Sequence, residues 1–140
     1  MRQSPAAVAY QDSLDVYAKA VLGKKAFDLV MIDVRGLSSV TDIFLICTGK
    51  SNRQVTAIAE HIKIELKKSN IRPLSVEGVK EGHWVVMDYG HVIIHVFYEP
   101  IRAFYDIEGL WADAKRIETQ SMIDSVPEAQ TDTIYGDEND

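Results

Sequence analysis

A chain of 140 residues that is 46% hydrophobic and 26% charged is sized for one domain with its own core, and its composition is neither that of a disordered chain nor that of a membrane protein. The net charge of −6 is unevenly placed: residues 118–140 hold seven acids and no Lys or Arg, leaving +1 for residues 1–117. That near-neutral body has no broad cationic field, which excludes binding to nucleic acid by backbone neutralisation alone and sets aside any sequence-specific nucleic acid as a partner.

Met1 to Tyr10 has one Arg and no apolar run of signal-peptide length, so the reading is a cytoplasmic product. No apolar run approaches the roughly 18 residues of a bilayer span, and no membrane is expected as a partner. Ser4-Pro5 reads as an N-cap followed by proline in the first turn. Tyr10, Leu14, Tyr17 and Val21 then recur at helical spacing, predicting one amphipathic helix that stops near Gly23.

Phe27–Val34 and Ile43–Thr48 are β-branched-rich runs bounded by charged, Gly or Ser residues, as expected of buried strands. Cys47, the one cysteine, sits inside the second run and is expected to be a small buried side chain with no reactive role. After Gly49, Ser51 and Gln54 have capping-box spacing. Val55, Ile58, Ala59, Ile62 and Leu66 form the stripe of a second helix, with Asn70 as its stop. Pro73–Glu77 predicts a short edge strand, since proline cannot donate to a central ladder.

His83–Met87 and His91–Tyr98 predict a hairpin around Asp88-Tyr89-Gly90. A two-residue turn at Tyr89-Gly90 demands a positive φ at Tyr89, so a three-residue loop with Gly90 left-handed is the expected form. Register then opposes His83 to His95 and sends Trp84 to the other face, with Val92, Ile94 and Val96; the two-residue alternative pairs Trp84 with His95. Pro100 can open a short helix carrying Arg102, Phe104 and Tyr105, followed by Leu110-Trp111. From Thr119 periodicity fades. The expectation is one domain over 1–117 and an acidic, flexible tail over 118–140.

Chemistry is sparse. Thr48-Gly49-Lys50-Ser51 lies where a strand meets a helix start, a place suited to anions, but it lacks the full phosphate-loop pattern. A nucleotidyltransferase would also need paired carboxylates for magnesium, and no strand carries Asp-x-Asp. A nucleotide-binding or nucleotidyltransferase-like enzyme using Thr48–Ser51 is therefore the alternative reading. His91 and His95 on one strand stand ~13 Å apart and cannot share a metal. No catalytic residue, metal site or cofactor is expected. Trp84, His95, Phe97, Arg102, Tyr105 and Trp111 are instead the large amphipathic types that anchor protein interfaces.

Several motifs then occur in order: Leu37-Ser38-Ser39-Val40-Thr41-Asp42, Thr48-Gly49-x-Ser51-x-Arg53-Gln54-Val55, Glu77-Gly78, Gly82-x-Trp84, Asp88-Tyr89-Gly90, His95-Val96-Phe97, Arg102-x-x-Tyr105, Glu108 and Leu110-Trp111. In this the chain, from about Ala18 to Ala114, resembles the Iojap-like family of ribosomal silencing factor S proteins. The resemblance implies an α/β (α+β) single domain with a mixed five-stranded sheet flanked by helices, of nucleotidyltransferase-like topology without the catalytic carboxylates. It implies a non-enzymatic protein that binds the large ribosomal subunit through its ribosomal protein number fourteen. Joining of the small subunit is thereby blocked and translation repressed under nutrient limitation, the free protein being a homodimer. Carried over by motif, Trp84, Asp88, His95, Phe97, Arg102, Tyr105, Leu110 and Trp111 are the candidates for the docking surface or its immediate support.

Overall fold

A computed structural model of the chain describes residues 4–126. α1 (Pro5–Ser13) begins as its sequence dictates, with Ser4 Oγ accepting the Ala7 N–H at 3.1 Å. The expected single helix is broken at its middle. Ser13 Oγ donates to the Tyr10 carbonyl and the Leu14 N–H reaches back three residues to Gln11, before α2 (Asp15–Leu22) resumes. The stripe survives the break, because Leu14, Tyr17 and Val21 are buried and Tyr10 packs beside them.

β1 (Phe27–Asp33) and β2 (Ile43–Gly49) pair antiparallel, and α3 (Asn52–Lys67) follows. Ser51 caps α3 by accepting the Gln54 N–H at 3.1 Å, and the Gln54 side chain reaches back to the Lys50 N–H. At the other end Asn70 adopts φ 61°, with Asn70 N–H bonded to Lys67 and Ile71 N–H to Leu66. That left-handed cap closes the helix as expected.

β3 (Ser75–Glu77), β4 (Trp84–Asp88) and β5 (Val92–Tyr98) form an antiparallel meander. Then come α4 (Glu99–Tyr105), α5 (Ile107–Leu110), β6 (Lys115–Ile117) and α6 (Gln120–Asp124). The sheet order is β3-β4-β5-β2-β1-β6, with β2 and β5 parallel at its centre. The sheet is mixed and has six strands where five were expected. β6, antiparallel to β1, was illegible because Lys115 and Arg116 are exposed and only Ile117 is buried, so three residues carry no alternation.

The hairpin also departs from expectation. Its register pairs Trp84 with Phe97 and Val86 with His95, and the Tyr89 N–H bonds the Val92 carbonyl at 2.9 Å. The turn is centred on Gly90-His91, one place later than the two-residue form weighed from sequence, and it is not the three-residue loop that was expected. Gly90 takes φ 91° at the first central position, the demand of a type II′ turn, and Tyr89, just past the end of β4, needs no positive φ. Asp88 Oδ1 accepts the Gly90 N–H at 2.8 Å and locks it. Trp84 therefore shares a face with His95, not with Val92, Ile94 and Val96.

Strand alternation divides the core. One face, with Leu45, Cys47, Val85, Met87, Val92, Ile94 and Val96, is covered by α2 and α3. The opposite face, with Ile32, Ile46, Phe97, Phe44 and Trp84, is covered in part by α4, α5 and the segment to Ala114.

The start of the stretch expected to be flexible is packed: Thr119 is buried, and Asp15 on α2 accepts both the N–H (2.8 Å) and the hydroxyl (2.6 Å) of Ser121. Burial pushes the Asp15 carboxyl up, but these bonds outweigh it and hold the group below its usual range. The remainder of that stretch, residues 127–140, lies outside the described residues.

Candidate docking face

The second sheet face carries an aromatic ridge. Trp84 stacks on Phe97 (4.9 Å between centroids, 27°) and tilts against Tyr105 of α4 at 5.0 Å. Its indole N–H donates to His95 Nδ1 at 3.0 Å. His95 in turn meets Phe44 at 5.3 Å, and Phe44 meets Trp111 at 5.6 Å. The ridge thus runs across β4, β5 and β2 to the end of α5. Gly78 supports it from behind: with φ 88°, it lies where a Cβ would collide with the Trp84 carbonyl.

The eight candidates separate into layers. Phe97 is fully buried and His95 nearly so, with its Nε2 enclosed and unpartnered; burial pushes its imidazole down to about 4. Trp84 and Trp111 are half-buried, while Tyr105 (50% exposed) and Leu110 (77%) form the outer surface. Asp88 is engaged by the Gly90 turn. Arg102 is engaged from all sides: its Nε and Nη2 make a two-pronged pair with Glu108 at 2.9 Å, and Nη1 donates to the Asp28 carbonyl and Thr48 Oγ1, both at 2.6 Å. The Arg102 bonds hold the Glu108 carboxyl below its usual range. Asp28 presents its carbonyl from an irregularity in β1, at φ 51°. Arg102 is thus a latch that seats α4 and α5 on the sheet.

Phe104 was passed over as a site residue, yet it is 79% exposed beside Tyr105, ring centroids 5.1 Å apart. It lies three residues after half-buried Ile101, a spacing that places both on one helix face. Leu37 and Val40 are also exposed, on the loop before β2 whose Asp42 N–H bonds His91.

The Thr48–Ser51 turn is filled by its own chain. Thr48 Oγ1 receives Arg102, the Lys50 N–H donates to Gln54, and Ser51 Oγ receives Gln54 N–H. Three polar groups of this turn are therefore committed to partners within the chain. Among the described residues no three His, Cys, Asp or Glu side chains converge. Cys47 is buried, its thiol pushed up to about 12 by burial. Among these residues, too, no helix is long and apolar enough to cross a membrane.

Comparison with known proteins gives a consistent result. A family profile described as ribosomal silencing factor during starvation matches residues 7–139. The ribosomal silencing factor RsfS of Halalkalibacterium halodurans is 39% identical over 113 residues, covering 81% of this chain and 97% of that protein. Its counterpart in Bacillus subtilis is 43% identical over 101 residues, covering 72% of this chain and 86% of that protein. A crystal structure of a protein from Chromobacterium violaceum superposes with a TM-score of 0.68 at 31% identity, over 79% of this chain and 88% of that one.

Proposed function

The chain belongs to the ribosomal silencing factor family, and from that premise we propose that it docks on the large ribosomal subunit through the subunit's protein number fourteen. The family regulates ribosomes and is not enzymatic. Docking lays the domain over a face that the small subunit must meet, so joining is blocked by bulk and translation falls under nutrient limitation. The nucleotidyltransferase-like scaffold, without paired carboxylates in its strands, serves as a rigid frame for the docking face.

The observation that carries this reading is that the α4–α5 segment leaves Phe104, Tyr105 and Leu110 each at least half exposed, with Tyr105 against half-buried Trp84. Large side chains left open beside a packed base are the usual anchors of a protein partner. In the free state the chain pairs as a homodimer, which covers apolar surface that the ribosome later takes.

Adding the protein to isolated large subunits before small subunits are supplied tests the proposal. Gradient sedimentation is expected to show fewer joined ribosomes, with the protein travelling with the large subunit. Undiminished joining at saturating protein would refute it.

A further inference from the structure

On the face opposite the aromatic ridge, α3 and the approach to β3 enclose a groove of about 610 Å³. Lys63, Lys67 and Arg72 line it together with Ile71, Pro73 and Val76, and no lining residue is a carboxylate. All three cations are exposed, and none belongs to an ion pair among the described residues. The negative end of the α3 dipole accounts for Lys67 in the last turn. It does not account for Lys63 a turn earlier or Arg72 beyond the helix. The neighbouring acid Glu65 is already bound to Lys68 at 2.6 Å.

The same chain supplies a complement. Residues 127–140 hold five acids, Glu128, Asp132, Asp137, Glu138 and Asp140, and no Lys or Arg. Val126, where the described residues end, lies beside Leu22, Phe27 and Leu29, over β1. The cations nearer to it are differently placed: Lys19 already acts on the carboxylates of Asp15 and Glu65, and Lys24 and Lys25 sit on an exposed turn.

β1 is four strand positions from β3, a separation of ~19 Å at the usual interstrand spacing. α2, α3 and Met122 of α6 pack on the same side of the sheet as the groove. The eleven residues from Pro127 to Asp137 reach ~36–40 Å when extended. A random coil of eleven residues has a root-mean-square span of ~17–20 Å. A tether matched to its span gives an effective concentration on the order of millimolar, which compensates for the weakness of each exposed ion pair.

We propose that the acidic end of the chain, Asp137, Glu138 and Asp140, docks in the groove of Lys63, Lys67 and Arg72. Docked there, it withholds these cations from other polyanions, RNA included, and keeps its own charge away from the aromatic face. The inference is independent of the proposed ribosomal role.

A zero-length carbodiimide, which joins a lysine amine to a carboxylate in direct contact, tests it on the full chain. At about 20 mM salt, where the Debye length is ~20 Å, mass spectrometry is expected to find Lys63 or Lys67 joined to Asp137, Glu138 or Asp140. These links should fade at about 500 mM salt, where it is ~4 Å. Mixing isotopically light and heavy chains should leave the links within one chain. The proposal is overturned if the tail acids join Lys19, Lys24 and Lys25 instead, if the links run between chains, or if none form.

A second measurement uses the full chain with Asp137→Asn, Glu138→Gln and Asp140→Asn. Amide resonances of Arg72 to Val76 should shift relative to the unmodified chain, and unmoved resonances would contradict the docking.

Discussion

Trp84 can only donate from its indole nitrogen, so its 3.0 Å bond makes His95 Nδ1 an acceptor. The ring proton of neutral His95 then sits on Nε2, which is enclosed without a partner. A second proton has no place except Nδ1, against the Trp84 N–H, and burial opposes the charge as well. The folded pKa of about 4 lies below the unfolded value of 6.5, so the unfolded chain takes up a proton first as pH falls. Stability is expected to be complete above pH 6.5 and to drop by about 3 kcal/mol as pH approaches 4. Urea titrations between pH 5 and 6.5 read this window before the depressed carboxylates of Asp15, Asp33 and Glu108 begin to contribute. His95→Gln keeps an acceptor for Trp84 and removes the titration, so its stability should be flatter across that window. An unchanged slope would exclude His95 as the source. From sequence, His95 and Phe97 could not be separated from exposed candidates such as Tyr105 and Leu110. β5 is apolar on both faces, and such a run does not declare which side a helix covers.

At the scale of elements, the α3 caps, the edge placement of β3 and the Pro100 helix start were legible because each is set by local chemistry. The hairpin register was not. It turned on whether the positive φ fell at the first or second central residue, and Gly90 satisfies either description until strand pairing selects one. A similar tertiary choice seats α4 and α5, since Arg102 finds its partners on β1, β2 and α5. Arg102→Ala would strand Glu108, largely shielded by the pair, and free the α4–α5 segment. It is expected to cost about 2–4 kcal/mol in urea unfolding and to weaken ribosome binding at the same time. Arg102→Lys cannot reproduce the two-pronged geometry and should recover only part of that loss. Wild-type stability in Arg102→Ala would contradict the latch.

Taken as a whole, the molecule gives its two sheet faces different roles. The α2–α3 side builds the main core, and the other side carries a smaller core open at its edge, where Phe104, Tyr105 and Leu110 stand clear. Composition pointed to this region because aromatics and Arg crowd together there, but it could not tell latch from anchor. The distinction is testable, because removing an anchor should leave the fold intact. The most direct measurement is co-sedimentation of Phe104→Ala/Tyr105→Ala protein with isolated large ribosomal subunits at moderate salt, beside its urea unfolding midpoint. The account predicts binding weakened at least about tenfold, the loss expected when anchors are truncated, with the midpoint unchanged. Full affinity in a folded double variant would contradict it and place the docking surface elsewhere.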